Sequence, residues 1–130
     1  MQKFKTILVI TLILCIGQIA FGQSKTIKEK EAEFYKIVDV PIPKNIKLEV
    51  GGLAFTDNDK LGVSTRRGEV WLIENPYGKT PNYKLFAHGL HEALGLAYRD
   101  GDFYLSQRGE LTQLVDKNDD DEADVYKTIF

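Results

Sequence analysis

Beyond its first two dozen residues this chain has no cysteine; the one cysteine of its 130 residues is Cys15. A disulfide framework is excluded for the remainder, and so are cysteine nucleophiles and Cys/His zinc spacings. Charge of one sign is missing too. Lys and Arg number 17 against 19 Asp and Glu, for a net charge of −2. No basic stripe is present, which excludes the usual nucleic-acid footprint. There is no glycine-rich phosphate loop and no nucleophile elbow. After residue 22 no segment carries a clear helical period. What is left is an ordinary globular composition, 43% hydrophobic and 28% charged.

The N-terminus reads as a leader. Lys3 and Lys5 precede a nearly apolar run from Thr6 to Phe21, and Ala20-Phe21-Gly22 supplies small residues at the two positions that a signal peptidase reads. Residues 1–22 are expected to be a secretory signal peptide cleaved after Gly22, which puts the protein outside the cytoplasm, secreted or periplasmic, with outer-surface association open. The competing reading is an uncleaved anchor, because the run approaches the length of a spanning helix. Leu14 before Cys15 is too large for a lipidation motif. Membrane contact is therefore expected only through the transient leader or peripherally.

Residues 23–47 read as a linker and a first strand. Ser24 to Glu33 is polar, a linker or short exposed helix. Phe34 to Val40 reads as a strand that Pro41 and Pro43 break.

Two later stretches read alike. Gly52-Leu53-Ala54-Phe55, Leu61-Gly62-Val63-Ser64 and Arg67-Gly68-Glu69 form the first. Gly95-Leu96-Ala97-Tyr98, Phe103-Tyr104-Leu105-Ser106 and Arg108-Gly109-Glu110 form the second. The offset is about 43 residues at the start and about 41 at the end, the length of one four-stranded propeller blade. Strands are expected over 49–55, 61–65, 70–74 and 83–87, then over 93–98, 103–107, 111–115 and 125–130. The fold class is all-β, with residues 48–130 as two blades. Propellers need roughly four to eight blades. The arithmetic predicts an N-terminal part of a longer product that needs its remaining blades. The rival is a small standalone β-sandwich with exposed sheet faces and edges.

Alternating strand direction sorts the polar residues. The turns after each second strand and the connection between repeats share one face. That face collects Arg66, Arg67, Glu69, Arg108 and Glu110, together with His88, His91 and Glu92. One reading is a ligand-facing rim, with Arg66, Arg67 and Arg108 for anionic or carbonyl oxygens and His91 for proton transfer. The other is a set of solvated turns, since features present in both repeats tend to serve the repeat. The opposite face carries the acidic loop from Asp116 to Asp124. Asp116, Asn118, Asp120 and Asp124 have the 1, 3, 5, 9 spacing of a calcium loop, but Asp121 stands where glycine is usual and Lys127 where a bidentate glutamate is. The alternatives are a short Ca²⁺ loop with a structural role and a solvated acidic turn. Trp71, between Val70 and Leu72, reads as packing rather than as a sugar platform.

The runs Gly51-Gly52-Leu53-Ala54-Phe55, Gly68-Glu69-Val70-Trp71 and Gly89-Leu90-His91-Glu92-Ala93-Leu94-Gly95-Leu96-Ala97-Tyr98 resemble the glucose/sorbosone dehydrogenase-like family. Those proteins are six-bladed propellers related to soluble pyrroloquinoline-quinone sugar dehydrogenases. The acidic loop ending in Ala123-Asp124 is similar to the aspartate-rich insertion of the large secreted "membrane-bound dehydrogenase" members. The resemblance covers about residues 35–130. Lactonase-like and NHL-type propellers share the Gly-Leu-Ala strand. The resemblance implies oxidation of a sugar or polyol, with hydride passing to the quinone and a histidine as base. It places the catalytic histidine and most quinone contacts in later blades, so this chain alone is expected to lack activity. The competing functions are a non-catalytic propeller that binds carbohydrate or protein at the cell surface, and a lactonase-like hydrolase.

Overall fold

The computed structural model describes residues 26–130, so the signal-peptide reading of 1–22 lies outside the described residues. The chain divides after Ile37 into two units. In the first, helix α1 (Ile27–Phe34) is fully exposed and is started by a capping box. Glu29 N–H donates to Thr26 Oγ1 at 3.3 Å, and Thr26 N–H donates back to Glu29 Oε2 at 2.8 Å. These reciprocal bonds satisfy two of the donors that a helix start leaves open. The strand expected over 34–40 does not form. Phe34 closes the helix, and the residues from Tyr35 to Pro43 join no ladder. Pro41 and Pro43 lack the N–H a ladder needs, and no residue of this stretch joins either sheet. Among the described residues no helix is long and apolar enough to cross a membrane.

The second unit, Val38–Phe130, is all β. Its strands are β1 (Val50–Phe55), β2 (Leu61–Thr65), β3 (Glu69–Glu74), β4 (Asn82–Ala87), β5 (Gly95–Arg99), β6 (Asp102–Ser106), β7 (Leu111–Val115) and β8 (Val125–Thr128). They form two antiparallel meanders, β1-β2-β3-β4 and β5-β6-β7-β8. The turns explain the register. Asp100 and Gly101 both take positive φ between paired Arg99 and Asp102, the two-residue turn whose twist suits a hairpin. The repeats pair alike: Gly52 lies opposite Ser64, and Gly95 opposite Ser106.

The two sheets pack face to face. Val70, Leu72 and Phe86 of the first meet Phe103, Leu105 and Leu114 of the second. Phe103 lies at the centre, with its ring 5.1 Å from Phe86 and 5.0 Å from Tyr98, both edge-on. Gly62 makes room for it, because a Cβ there would come within 2.5 Å of the Phe103 ring.

Burial differs between the equivalent strands. In β2 the run Gly62-Val63-Ser64-Thr65 is buried throughout, whereas β6 alternates, with Phe103 and Leu105 buried and Ser106 exposed. A strand covered on both faces gives the first pattern and one covered on a single face the second. The outer face of the first sheet is shielded by Val40, Ile42 and Leu48, which lie over Val63, Ile73 and Tyr83 around an apolar cavity of about 170 Å³. Tyr83 OH donates to the Pro41 carbonyl at 3.1 Å.

Candidate functional site

Both faces that the strand alternation defines carry polar groups. On the first, the β2–β3 turn and the β4–β5 connection are joined by backbone. Leu90 N–H donates to Gly68 O at 3.0 Å, and Arg108 N–H donates to His91 O at 3.0 Å. His91 N–H is also held by Gln107 Oε1 at 2.5 Å. The backbone of the connection is thus pinned at both repeats, with Glu92 in the left-handed region at φ 49°. The side chains are free of that order. Arg66, Arg67, Arg108, His88 and His91 are all exposed. The nearest charge pair, Arg108 Nη1 to Glu92 Oε2, spans 3.6 Å with the arginine side chain 67% exposed. Such a pair contributes little in water.

The structure therefore brings Arg108, His91 and Glu92 together on one edge, and among the described residues no carboxylate is buried that could serve His91 as a partner acid. The three arginines of this face are matched in number by Glu69, Glu92 and Glu110, so it carries no formal excess of positive charge. A flat tricarboxylate quinone needs a closed bed with convergent donors, and these exposed residues do not fit one.

The two turn glutamates serve the sheets. Glu69 Oε2 accepts from Trp71 Nε1 at 2.9 Å. Glu110 Oε1 accepts from Thr112 Oγ1 at 2.6 Å and from Gln107 Nε2 at 2.9 Å, while its Oε2 accepts from Thr128 Oγ1 at 2.8 Å. Bonds from Thr112 and Thr128 hold the Glu110 carboxyl below its ordinary range. Gln107 links this cluster to His91 and was not singled out by sequence; only the glutamate repeated after each glycine signalled the arrangement.

On the opposite face a polar cleft of about 310 Å³ opens between the sheets, with Thr56, Asn58, Lys60, Asp116, Asp119 and Asp121 at its lip. Asp116 organises the acidic loop: its Oδ1 accepts from the N–H groups of Asn118 and Asp120, and its Oδ2 from Asp121 N–H at 2.7 Å. Asp124 Oδ2 accepts from Lys117 N–H at 2.8 Å, and Asp120 Oδ1 from Glu122 N–H at 3.0 Å. The four residues with calcium-loop spacing are close, yet their oxygens are turned to the loop's own donors. Among the described residues no group of three or more His, Cys, Asp or Glu is gathered as a cation site. The calcium reading rests on spacing alone.

Lysines of the first sheet tie this loop down, a link that sequence reasoning missed. Lys60 Nζ lies 2.5 Å from Asp121 Oδ2 and 3.1 Å from Glu74 Oε1. Lys84 Nζ donates to the Asp120 carbonyl. Burial alone would lower the Lys60 pKa, but the bonds and charges of Asp121 and Glu74 outweigh it and raise it above 10.5. The bond from Asn82, then the bond and charge of Lys60, hold Glu74 below 4.5. A depressed carboxylate supports the fold above its unfolded pKa and loses that support as pH falls through the folded value. A raised lysine supports it below its unfolded pKa and loses that as pH rises through the folded value. The melting temperature is expected to be flat between about pH 5 and 10 on this account and to fall on both sides. Lys60→Met should flatten the alkaline limb in calorimetric scans; an unchanged limb would remove Lys60 from the strap.

Comparison with protein-family models, curated proteins and solved structures finds no match to this chain.

Proposed function

We propose that the two sheets are successive blades of a β-propeller of the glucose/sorbosone dehydrogenase type, and that they form scaffold and rim rather than the catalytic centre. The observation that carries the reading is the repeat itself. Equivalent strands pair in equivalent register, and the connection after β4 hooks onto the turn of the preceding sheet through Leu90 and Gly68. In this reading the ring acts on a sugar or polyol with quinone chemistry, and further blades supply the histidine base and the quinone bed. His91, Arg66, Arg67, Arg108 and Glu92 then stand on the ligand-facing rim, where the arginines meet anionic or carbonyl oxygens at the mouth.

A second reading has a specific observation in its favour. His91 is exposed, and among the described residues no Asp or Glu is buried to act as its partner. A rim of exposed arginines without an acid–base pair suits a propeller that binds carbohydrate or protein without chemistry. A lactonase-like hydrolase has no comparable support in the rim.

The test is quinone-dependent dye reduction with aldoses and polyols. The chain by itself is expected to be inactive. The same chain within a complete ring should reduce dye, and His91→Ala there should alter KM more than kcat, because a rim residue contributes binding rather than proton transfer. A complete ring that binds sugar but never reduces dye would favour the binding reading. A kcat loss of a hundredfold or more on His91→Ala, about the contribution of a general base, would move the catalytic centre into this chain.

A further inference from the structure

The first sheet shows how a following sheet is received. Its inner side presents Gly52, Ala54, Gly62, Ser64, Val70 and Leu72, and of these the four in β2 and β3, Gly62, Ser64, Val70 and Leu72, are buried. The repeat-equivalent positions of the second sheet are Gly95, Ala97, Tyr104, Ser106, Leu111 and Gln113, and they form its open outer side. Ser64 is 0% exposed, whereas Ser106 is exposed; Val70 is 0% exposed, whereas Leu111 is 38% exposed. The turn glycines differ in the same sense. A Cβ on Gly68 would run into the Leu90 carbonyl, while one on Gly109 would meet nothing within 4 Å.

One position breaks the equivalence. At the covered interface a side chain is absent at Gly62 and the incoming residue is the large Phe103. On the open side the receiving residue is the large Tyr104. A well-packed interface conserves volume, so the incoming residue there must be smaller than the phenylalanine that meets Gly62. Leu61 occupies the position equivalent to Phe103 in the first repeat.

We infer that the outer side of the second sheet is an acceptor for a further four-stranded sheet of this repeat type, one that carries an aliphatic rather than an aromatic side chain opposite Tyr104. This rests on the blade reading above and adds a rule for which sheet follows. The Tyr104 hydroxyl and Asp102 share Gln113 Nε2, at 3.3 and 2.7 Å, which fixes the Tyr104 ring against retreat.

The test appends a copy of residues 45–87 directly after Phe130 and reads protection of a single thiol, introduced by Ser106→Cys in a Cys15→Ser background. That thiol is expected to label as an exposed group in the unextended chain and about tenfold or more slower once the copy is appended, a factor equivalent to about 1.4 kcal/mol of local opening. Leu61→Phe in the appended copy should restore fast labelling. Adding Tyr104→Gly to that chain should bring protection back, since it recreates the Gly62–Phe103 arrangement. Fast labelling in the extended chain with Leu61 intact would overturn the acceptor. Equal protection by Leu and Phe would overturn the size rule. Neither sugar nor quinone enters the measurement, so a failed oxidation assay leaves the acceptor standing, and a failed acceptor removes the blade reading's stacking without bearing on the assay.

Discussion

Phe103→Ala is expected to destabilise the protein by about 3–5 kcal/mol, the usual cost of emptying a buried aromatic position. Few domains hold more than about 5–15 kcal/mol in total, so the variant should be largely unfolded in mild urea. The size of the effect follows from position. Phe103 is 2% exposed and touches both sheets, with edge-on contacts to Phe86 of β4 and Tyr98 of β5. Removing the ring leaves a void between two rigid sheets that cannot close, because the ladders on either side fix their shape. Phe103→Leu should cost much less. Urea unfolding followed by Trp71 fluorescence and far-ultraviolet circular dichroism measures both. A loss below about 1 kcal/mol for the alanine variant would mean that the sheets do not meet around Phe103.

Gly68→Ala is expected to be nearly as damaging, by about 2–5 kcal/mol. Gly68 has φ 82°, a region that costs an L-residue about 1–2 kcal/mol, and its new methyl would press on the Leu90 carbonyl, adding about 1–3 kcal/mol of overpacking. That carbonyl cannot swing aside, since Leu90 N–H is held by Gly68 O. Gly109 is the matched control. It occupies the same place in the second repeat, with no left-handed φ and no neighbour within 4 Å. Gly109→Ala should be neutral, or stabilising by up to about 1 kcal/mol through a stiffer unfolded chain. Equal effects at the two glycines would contradict the account, because the repeats would then sit in equal surroundings.

The eight strands of the second unit were legible to within about two residues because their turns announce themselves. Asp100-Gly101 and Arg67-Gly68 interrupt runs of alternating or β-branched residues. The helix was legible only as one of two readings of residues 24–33, a linker or a short exposed helix. Eight residues of mixed polarity show little period, and only the Thr26-to-Glu29 box marks it. The strand read over 34–40 failed for the complementary reason: β-rich composition forms no strand without a neighbour to pair with. For the candidate site, alternation sorted residues onto faces, and the turn at Gly68 and the connection at Leu90 do lie together. It could not say which charges meet across sheets. Lys60 and Asp121 are far apart in sequence and pair only because the sheets stack. Nor could it show that Glu69 and Glu110 are occupied by their own strands, since their partners Trp71 and Thr112 are different residue types at the same offset.

The central claim is that two like sheets stack in order, so that one inner side is covered and its counterpart is free. Ser64 and Ser106 report it most directly. Ser64 Oγ is buried without a hydrogen-bond partner, so a thiol there forfeits no bond. Two single-thiol chains, Ser64→Cys and Ser106→Cys, each also carrying Cys15→Ser, should react with a maleimide at very different rates. The Ser106→Cys chain should label fast, and the Ser64→Cys chain only through opening of the sheet pair. Comparable rates at the two positions would contradict the stacking.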